Sequence, residues 1–268
     1  MKQLYKLATF ATPLILSSVI STQVFAETEK TEELKTSKQK VVEVEETWRT
    51  VPAEQLMVMT LPQGKVVFEL APQFAPRHVE HFTTLAAKGH YDGNKFYRVI
   101  DGFVAQAGPD EGEEGSAKTE KMLAMESEWP FDQSPSFSLV QDNDLFAEKT
   151  GFSGGFAVAA SVSENKAWLA HCPGVLAMAR GNEKDSATSH FYITNGQAPR
   201  YLDRIMTVFG RVVYGMEHVQ SITRTSVIEG DKPVDVSAYT PIVAMKLMSD
   251  LPKEQQFTIQ IENTESKA

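Results

Sequence analysis

An all-β barrel or sandwich carrying two short helices is the fold class this sequence predicts. Three observations point there. Short apolar runs rich in β-branched and aromatic residues recur from Leu56 to Asn263, Gly and Pro mark turns between many of them, and only two stretches carry helical spacing.

The elements follow in order. "LMVMTL" (56–61), a Pro-Gln-Gly turn and "KVVFEL" (65–70) read as a hairpin. In "APRHVEHFTTLAAKGHY", Val79, Phe82 and Leu85 fall at i, i+3 and i+6 and Gly89 supplies a stop, so an amphipathic helix is expected. "KFYRVI" and "FVAQAG" flank Asp101-Gly102, a strong short hairpin signal. The stretch 109–168 reads as a long insertion. "PDEGEEGSAKTEK" is expected to be an exposed acidic loop, and "SFSLVQDNDLF" and "GFAVAASV" to be strands. Regularity returns at Gly174: "GVLAMAR", "HFYITN" and "TVFGRVVYG" are strand-like, "MEHVQSITR" is a short helix, and "PIVAMKLMSDLP" and "FTIQIEN" are late strands. There is no internal repeat.

Composition is that of a globular protein, 42% hydrophobic and 23% charged. Residues 1–26 read as a secretory signal peptide. Lys2 and Lys6 make a positive start, Leu7 to Ile20 is mostly apolar, and the run ends at a small residue, Ala26. The alternative, a membrane anchor, is disfavoured because the run is shorter than the ~20 residues a span needs. Export places the mature chain in an envelope space, and the periplasm is the expected location. Residues 27–50 are charged and poor in aromatics and read as a linker; residues 51–268 form the folded domain. Cys172 is the only cysteine, so no intramolecular disulfide is possible, and its apolar setting points to a buried, inert thiol. Removing Lys2 and Lys6 takes the formal net charge from −9 to −11. That argues against nucleic acid and against an anionic membrane surface as partners.

One permanent charge, Arg98, sits inside "FYRVIDGFVAQAG", an otherwise strand-like stretch. That block resembles the active-site hairpin of the cyclophilins, the peptidyl-prolyl cis-trans isomerases. "CPGVLAMARGNEKDSATSHFYITN" and "APRYLDRIMTVFGRVVYGMEHV" resemble two further blocks of the same family, in the family order, so that the resemblance spans roughly Leu56 to Met248. It implies a closed eight-stranded antiparallel barrel capped by two helices. It also implies rotation about X-Pro bonds of unfolded or flexible polypeptides, with no cofactor or metal and with a monomer sufficient.

The resemblance carries site residues position by position. Arg98 is implied as the catalytic donor. Phe103 and Val104 are implied as the apolar floor for the proline ring, and Gln106 as the group that positions substrate backbone and arginine. Ala179 would face the peptide, Tyr192 would wall the pocket in place of a phenylalanine, and Leu202 matches the family residue. Four positions depart from the pattern: Arg180 for an asparagine, His190 for a glutamine on the rim, Tyr201 where many members have tryptophan, and Met206 for a histidine. The loop from Met178 to Ser189 is one residue longer, and the Pro109–Pro173 connection is longer than in minimal members. Retained but slowed isomerase activity and weak cyclosporin binding are expected.

The chemistry suits an arginine. In the planar amide the prolyl nitrogen lone pair is delocalised; in the twisted transition state it localises and can accept a hydrogen bond. A donor aimed there binds the transition state better than either ground state.

Other readings carry less weight. "GFSGG" matches a nucleophile elbow at Ser153 but lacks the strand-then-helix context. His78 and His81 lie at i, i+3 without partner ligands and read as surface residues. The rival in a different class is a non-catalytic binder of proline-containing chains, a chaperone or assembly factor on the same barrel.

Overall fold

In the computed structural model the described residues are 48–109, 121–225 and 236–264. The expected signal peptide, the linker up to residue 47 and most of the acidic loop lie outside them.

Eight antiparallel strands form the principal sheet. They are β2 (Leu56–Leu61), β3 (Gly64–Leu70), β4 (Lys95–Val99), β5 (Val104–Gly108), β10 (Val175–Met178), β11 (Phe191–Thr194), β12 (Val208–Tyr214) and β13 (Ala244–Leu247), in the order β13-β2-β3-β12-β10-β11-β5-β4. Between β5 and β10 in the chain comes a second, four-stranded meander: β6 (Phe137–Asp142), β7 (Lys149–Ser153), β8 (Phe156–Ser161) and β9 (Lys166–Leu169). A third pair joins β1 (Trp48–Thr50) to β14 (Gln260–Glu262). The charged linker read from composition therefore runs at its end into a strand.

The principal sheet is a curled, open half-barrel with β13 and β4 at its ends, so the closed barrel of the expectation is not shown. β13 and β4 are not paired strand to strand. The seam holds one bridge, Lys95 to Pro241, with hydrogen bonds from Phe96 N–H to Thr240 O (3.0 Å), Gly93 N–H to Ile242 O (2.8 Å) and Ile242 N–H to Asn94 O (2.7 Å). Pro241 has no N–H to donate, so a regular ladder cannot form there.

Period-2 alternation sorts the side chains. Met57, Met59, Phe68, Phe96, Ala105, Ala107, Leu176, Met178, Phe191, Ile193 and Phe209 share the cluster inside the curl. Two helices pack on that cluster. In α1 (Pro76–Ala87) Pro76 occupies the first turn, where its missing N–H costs nothing. Val79, Phe82 and Ala86 are buried, and Gly89, at φ +73°, ends the helix in the left-handed region. α2 (Met216–Gln220) buries Val219.

Residues of the opposite, outer face form a second cluster. Val104, Val175, Ala177, Ala179, Tyr192 and Val208 pack there with Phe156, Val158, Ala160, Ala167 and Leu169 of the meander. The meander thus covers part of the outer face. Two of its strands, β7 and β9, were not anticipated, because "KTGFS" and "KAWL" are too short and mixed to show alternation. Among the described residues no helix is long and apolar enough to cross a membrane.

Candidate active site

Cross-strand register sets the site. Arg98 of β4 lies opposite Gln106 of β5, Gln106 opposite Tyr192 of β11, and Tyr192 opposite Ala177 of β10. These four form one transverse row on the outer face. Arg98 is half-buried, so its guanidinium is neither sealed inside nor fully in water. Its Nη1 donates to Gln106 Oε1 at 3.2 Å, and its guanidinium carbon sits 5.5 Å from the Phe103 ring centroid.

A β-bulge makes this arrangement. The β4–β5 register slips between Phe96 and Arg98, leaving Tyr97 as the extra residue. In a regular strand Tyr97 and Arg98 would face opposite ways; the bulge lets both reach Gln106. Gln106 Nε2 donates to the Tyr97 hydroxyl at 2.5 Å, and that hydroxyl lies 2.9 Å from His190 Nδ1. With its oxygen accepting from Gln106, Tyr97 has its own proton to give to Nδ1 of a neutral imidazole. The amide of Gln106 is thereby held from both ends, oxygen to Arg98 and nitrogen to Tyr97.

The turn that carries Phe103 is fixed by close backbone contact. Gly102 adopts φ +69°, and a Cβ on Gly196 would fall 2.4 Å from Gly102 Cα. Phe103 stacks on Tyr201 with centroids 6.0 Å apart. Val104 is 2% exposed and belongs to the outer-face cluster, and half-buried Leu202 and Met206 pack against the same cluster. Ala179 is 7% exposed, and its N–H donates to His190 O at 2.8 Å.

Arg180 turns elsewhere. Nε donates to Ile205 O at 3.0 Å and Nη1 to Gly181 O and Asn182 O, so its guanidinium staples its own loop to the one carrying Ile205.

Tyr192 forms part of the floor. It is 3% exposed, and its hydroxyl meets His171 Nε2 at 2.9 Å. On the other side of the imidazole, His171 Nδ1 and the His171 backbone N–H both point at Asp203 Oδ1, each 2.9 Å away. Asp203 Oδ2 accepts from Trp168 Nε1 (3.0 Å) and Arg200 Nε (2.5 Å). Burial works to raise the Asp203 carboxyl, but hydrogen bonds from His171 and Arg200 bring it net below the ordinary carboxylate value. Burial, with the Asp203 charge, pushes the Tyr192 phenol up, so it stays protonated and donates to His171. One buried carboxylate thus ties the meander (Trp168), the segment after it (His171) and the turn Arg200–Leu202 to the floor of the site.

Tyr97, His171 and Asp203 escaped the sequence reading. Strand alternation points Tyr97 away from Arg98, and no spacing rule links His171 to Asp203. The one available signal was an Asp directly after Tyr201-Leu202.

Other sequence candidates resolve differently. Ser153 is fully buried; its hydroxyl donates to Pro135 O at 2.8 Å and a tight turn to β8 follows, so no strand–helix elbow exists. His78 is fully buried rather than at the surface. Its Nδ1 lies 2.7 Å from Glu126 Oε2, which also accepts its backbone N–H. The helix turns His78 toward the segment after residue 120, which periodicity on one helix cannot foresee. Cys172 is half-buried, and burial raises its thiol further from ionisation.

Fold and site together define a protein that presents an aimed guanidinium beside an apolar floor on the outside of a curled antiparallel sheet. Comparison with known proteins agrees. The family model described as cyclophilin type peptidyl-prolyl cis-trans isomerase/CLD matches residues 56–246. A probable peptidyl-prolyl cis-trans isomerase of Brucella suis is 30% identical over 176 residues, covering 66% of this chain and 75% of that protein. Peptidyl-prolyl cis-trans isomerase B of Bacillus subtilis is 30% identical over 167 residues, covering 62% and 88%. The crystal structure of a cyclophilin from Hirschia baltica aligns with a TM-score of 0.68 at 26% identity, over 82% of this chain and 84% of that one. The chain belongs to the cyclophilin-type peptidyl-prolyl cis-trans isomerases, enzymes that interconvert the cis and trans forms of X-Pro bonds.

Proposed function

We propose that Arg98 is the catalytic donor of this isomerase and that its substrates are proline-containing segments of unfolded or flexible polypeptides. The observation that carries this reading is the row Arg98–Gln106–Tyr192 on one outward face, with Phe103 beside the guanidinium. The proline ring rests on Phe103, Val104, Tyr192, Leu202 and Met206. Gln106 holds the arginine and reaches substrate backbone. Ala179 and the backbone at Arg180 flank the peptide, and His190 and Tyr201 form the rim.

The mechanism needs no covalent step. Rotation about an X-Pro bond has a barrier of about 18–20 kcal/mol and takes tens to hundreds of seconds unaided. Reaching a millisecond requires about 7 kcal/mol, at about 1.36 per decade. One guanidinium hydrogen bond to the developing nitrogen lone pair supplies roughly 3–4 kcal/mol in a preorganised site. Desolvation on the apolar floor and the grip on the ring supply the rest. Gln106 takes one of the five donors of Arg98 and so fixes the plane of the others.

The apolar, small-residue-terminated stretch at 1–26 supports export, so the clients are exported proteins and the working place is the periplasm. A monomer suffices, because every residue assigned to the site comes from one chain. The hydrogen bonds between residues 93–96 and 240–242 support a sheet that closes into a barrel in solution.

A peptide assay coupled to the prolyl isomer tests the reading. Wild type accelerates interconversion, and Arg98→Ala loses about 10²–10³ in kcat/KM. If wild type and variant both run at the uncatalysed rate, the protein is a binder on this fold.

A further inference from the structure

The exposed face beside Arg98 continues past Tyr201. Arg200, the preceding residue, is bonded to Asp144 at 3.1 Å, and its guanidinium carbon lies 5.2 Å from the ring centroid of Phe146. Asp144 and Phe146 belong to the turn between β6 and β7, the tip of the meander's first hairpin. A line of contacts therefore runs from Arg98 through Phe103, Tyr201 and Arg200 to the tip.

That line has an apolar, solvent-facing edge. Leu145 is 89% exposed, Tyr201 64%, Phe146 48% and Ile205 46%. Phe146 lies against Arg200, Leu145 is the chain neighbour of Phe146, and Ile205 N–H is bonded to Leu202 O (3.3 Å), so these three flank the Arg200–Leu202 turn that carries Tyr201. Single exposed apolar side chains are ordinary; several flanking one turn beside a binding site are a mark of recognition. The tip is also built to hold its shape. Asp144 Oδ1 accepts the backbone N–H groups of Phe146 (2.6 Å) and Ala147 (2.7 Å), and Asn143 N–H donates to Glu148 O (2.7 Å). Beneath it, the largely buried Arg200 clamps Asp144 and Asp203 together. A rigid hairpin that presents leucine and phenylalanine to water, anchored to the buried hub under the prolyl site, preorganises contact area for a partner.

We propose that Leu145 and Phe146, with Tyr201 and Ile205, form an accessory subsite for apolar side chains of an extended client chain, several residues from the prolyl bond held at Arg98. The proposal rests on the isomerase reading of that site. The occupant is an unfolded or flexible stretch of polypeptide, because a folded core buries its apolar residues whereas such a stretch offers them together with an accessible proline on one extended segment. An extended chain rises about 3.3 Å per residue, so a tetrapeptide covers the prolyl site alone, whereas about ten residues reach past it.

The test measures kcat and KM for wild type, Leu145→Ser and Leu145→Ser/Phe146→Ser on three kinds of peptide. They are a prolyl tetrapeptide, decapeptides with leucine or phenylalanine four to six residues before or after the proline, and the same decapeptides with serine there. Leu145→Ser leaves the Phe146–Arg200 contact in place and guards against a misfolded tip. The expected result is an unchanged tetrapeptide rate, a fivefold to tenfold loss for the apolar decapeptide in the double variant carried by KM, and no loss for its serine twin. Equal use of both decapeptides by wild type overturns the proposal. So does an equal loss on all peptides, which would make the tip a mere support for the Tyr201 turn. Wild type inactive on every peptide, tetrapeptide included, overturns the isomerase reading and this subsite with it.

Discussion

Replacing Tyr97 by phenylalanine removes one oxygen and keeps the ring. That oxygen accepts from Gln106 Nε2 at 2.5 Å and meets His190 Nδ1 at 2.9 Å. Each partly buried hydrogen bond has a net value of about 0.5–1.5 kcal/mol, so the loss in stability is about 2 kcal/mol. For a domain of roughly 200 residues that corresponds to a fall in Tm of about 4–8 °C. Only the Gln106 contact bears on catalysis. Without it the amide keeps its bond to Arg98 but gains freedom to swing, which costs about 1 kcal/mol of positioning, or about fivefold in rate. The assay is the coupled peptide reaction on wild type, Tyr97→Phe, Gln106→Ala and the double variant. Tyr97→Phe is expected to lower kcat about threefold to tenfold with KM little changed. In the Gln106→Ala background the same substitution should do nothing further, because the hydroxyl acts only through the amide. Additive effects in that cycle refute the reasoning, and a loss beyond a hundredfold would mean that the hydroxyl touches the reacting bond itself.

Two more outcomes follow from the buried network. Tyr192→Phe leaves the floor's shape intact but strips His171 Nε2 of its partner, so stability falls by about 1–3 kcal/mol while kcat/KM changes less than threefold; in a His171→Phe background, which is itself destabilised because Asp203 loses a donor, the same substitution should cost much less by thermal denaturation, and additive losses would argue against the contact. His78 titrates below its ordinary 6.5, chiefly because burial disfavours the cation, with Glu126 opposing and Arg77 and His81 assisting. The unfolded chain therefore binds the extra proton first, so His78 contributes stability that is complete above about pH 6.5 and lost as pH falls through its folded pKa, at no more than about 1.4 kcal/mol per pH unit. Tm measured from pH 7.5 to 5 should fall in that window for wild type and flatten for His78→Asn; equal slopes would remove His78 as the cause.

Much of the principal sheet was readable from its residues. "LMVMTL" and "KVVFEL" became β2 and β3, Asp101-Gly102 lies in the turn that joins β4 to β5, and the helix over Val79 and Phe82 runs from Pro76 to Ala87 with Gly89 just beyond it. These signals are local: a turn residue and a period of 2 or 3.6 need no knowledge of what lies across the sheet. The meander was half legible. β8, with its run of small apolar residues, could be seen; β7 and β9 could not, since their stability comes from ladders with neighbours and from the outer face they cover.

The site divides the same way. Arg98, Phe103 and Gln106 were legible as a spaced motif on one hairpin. Arg180 was expected at the groove through its backbone, yet its guanidinium holds Ile205 and its own loop. Tyr97 was hidden because a bulge reverses the facing that alternation assigns, and bulges leave no period in the chain.

From the amino-acid order alone came the curled β class, because hairpins and their turn chemistry are written within a dozen residues, and, through the family resemblance of three blocks, Arg98 as the candidate donor and the X-Pro bond as its target. Folding decided what surrounds that arginine. Asp203, His171 and Tyr192 meet only when strands distant in sequence curl together, and the turn holding Asp144 and Phe146 is tied to the Tyr201 turn only through Arg200. Burial and hydrogen-bond geometry belong to the packed molecule, and neither exists until segments far apart in the chain exclude water between them.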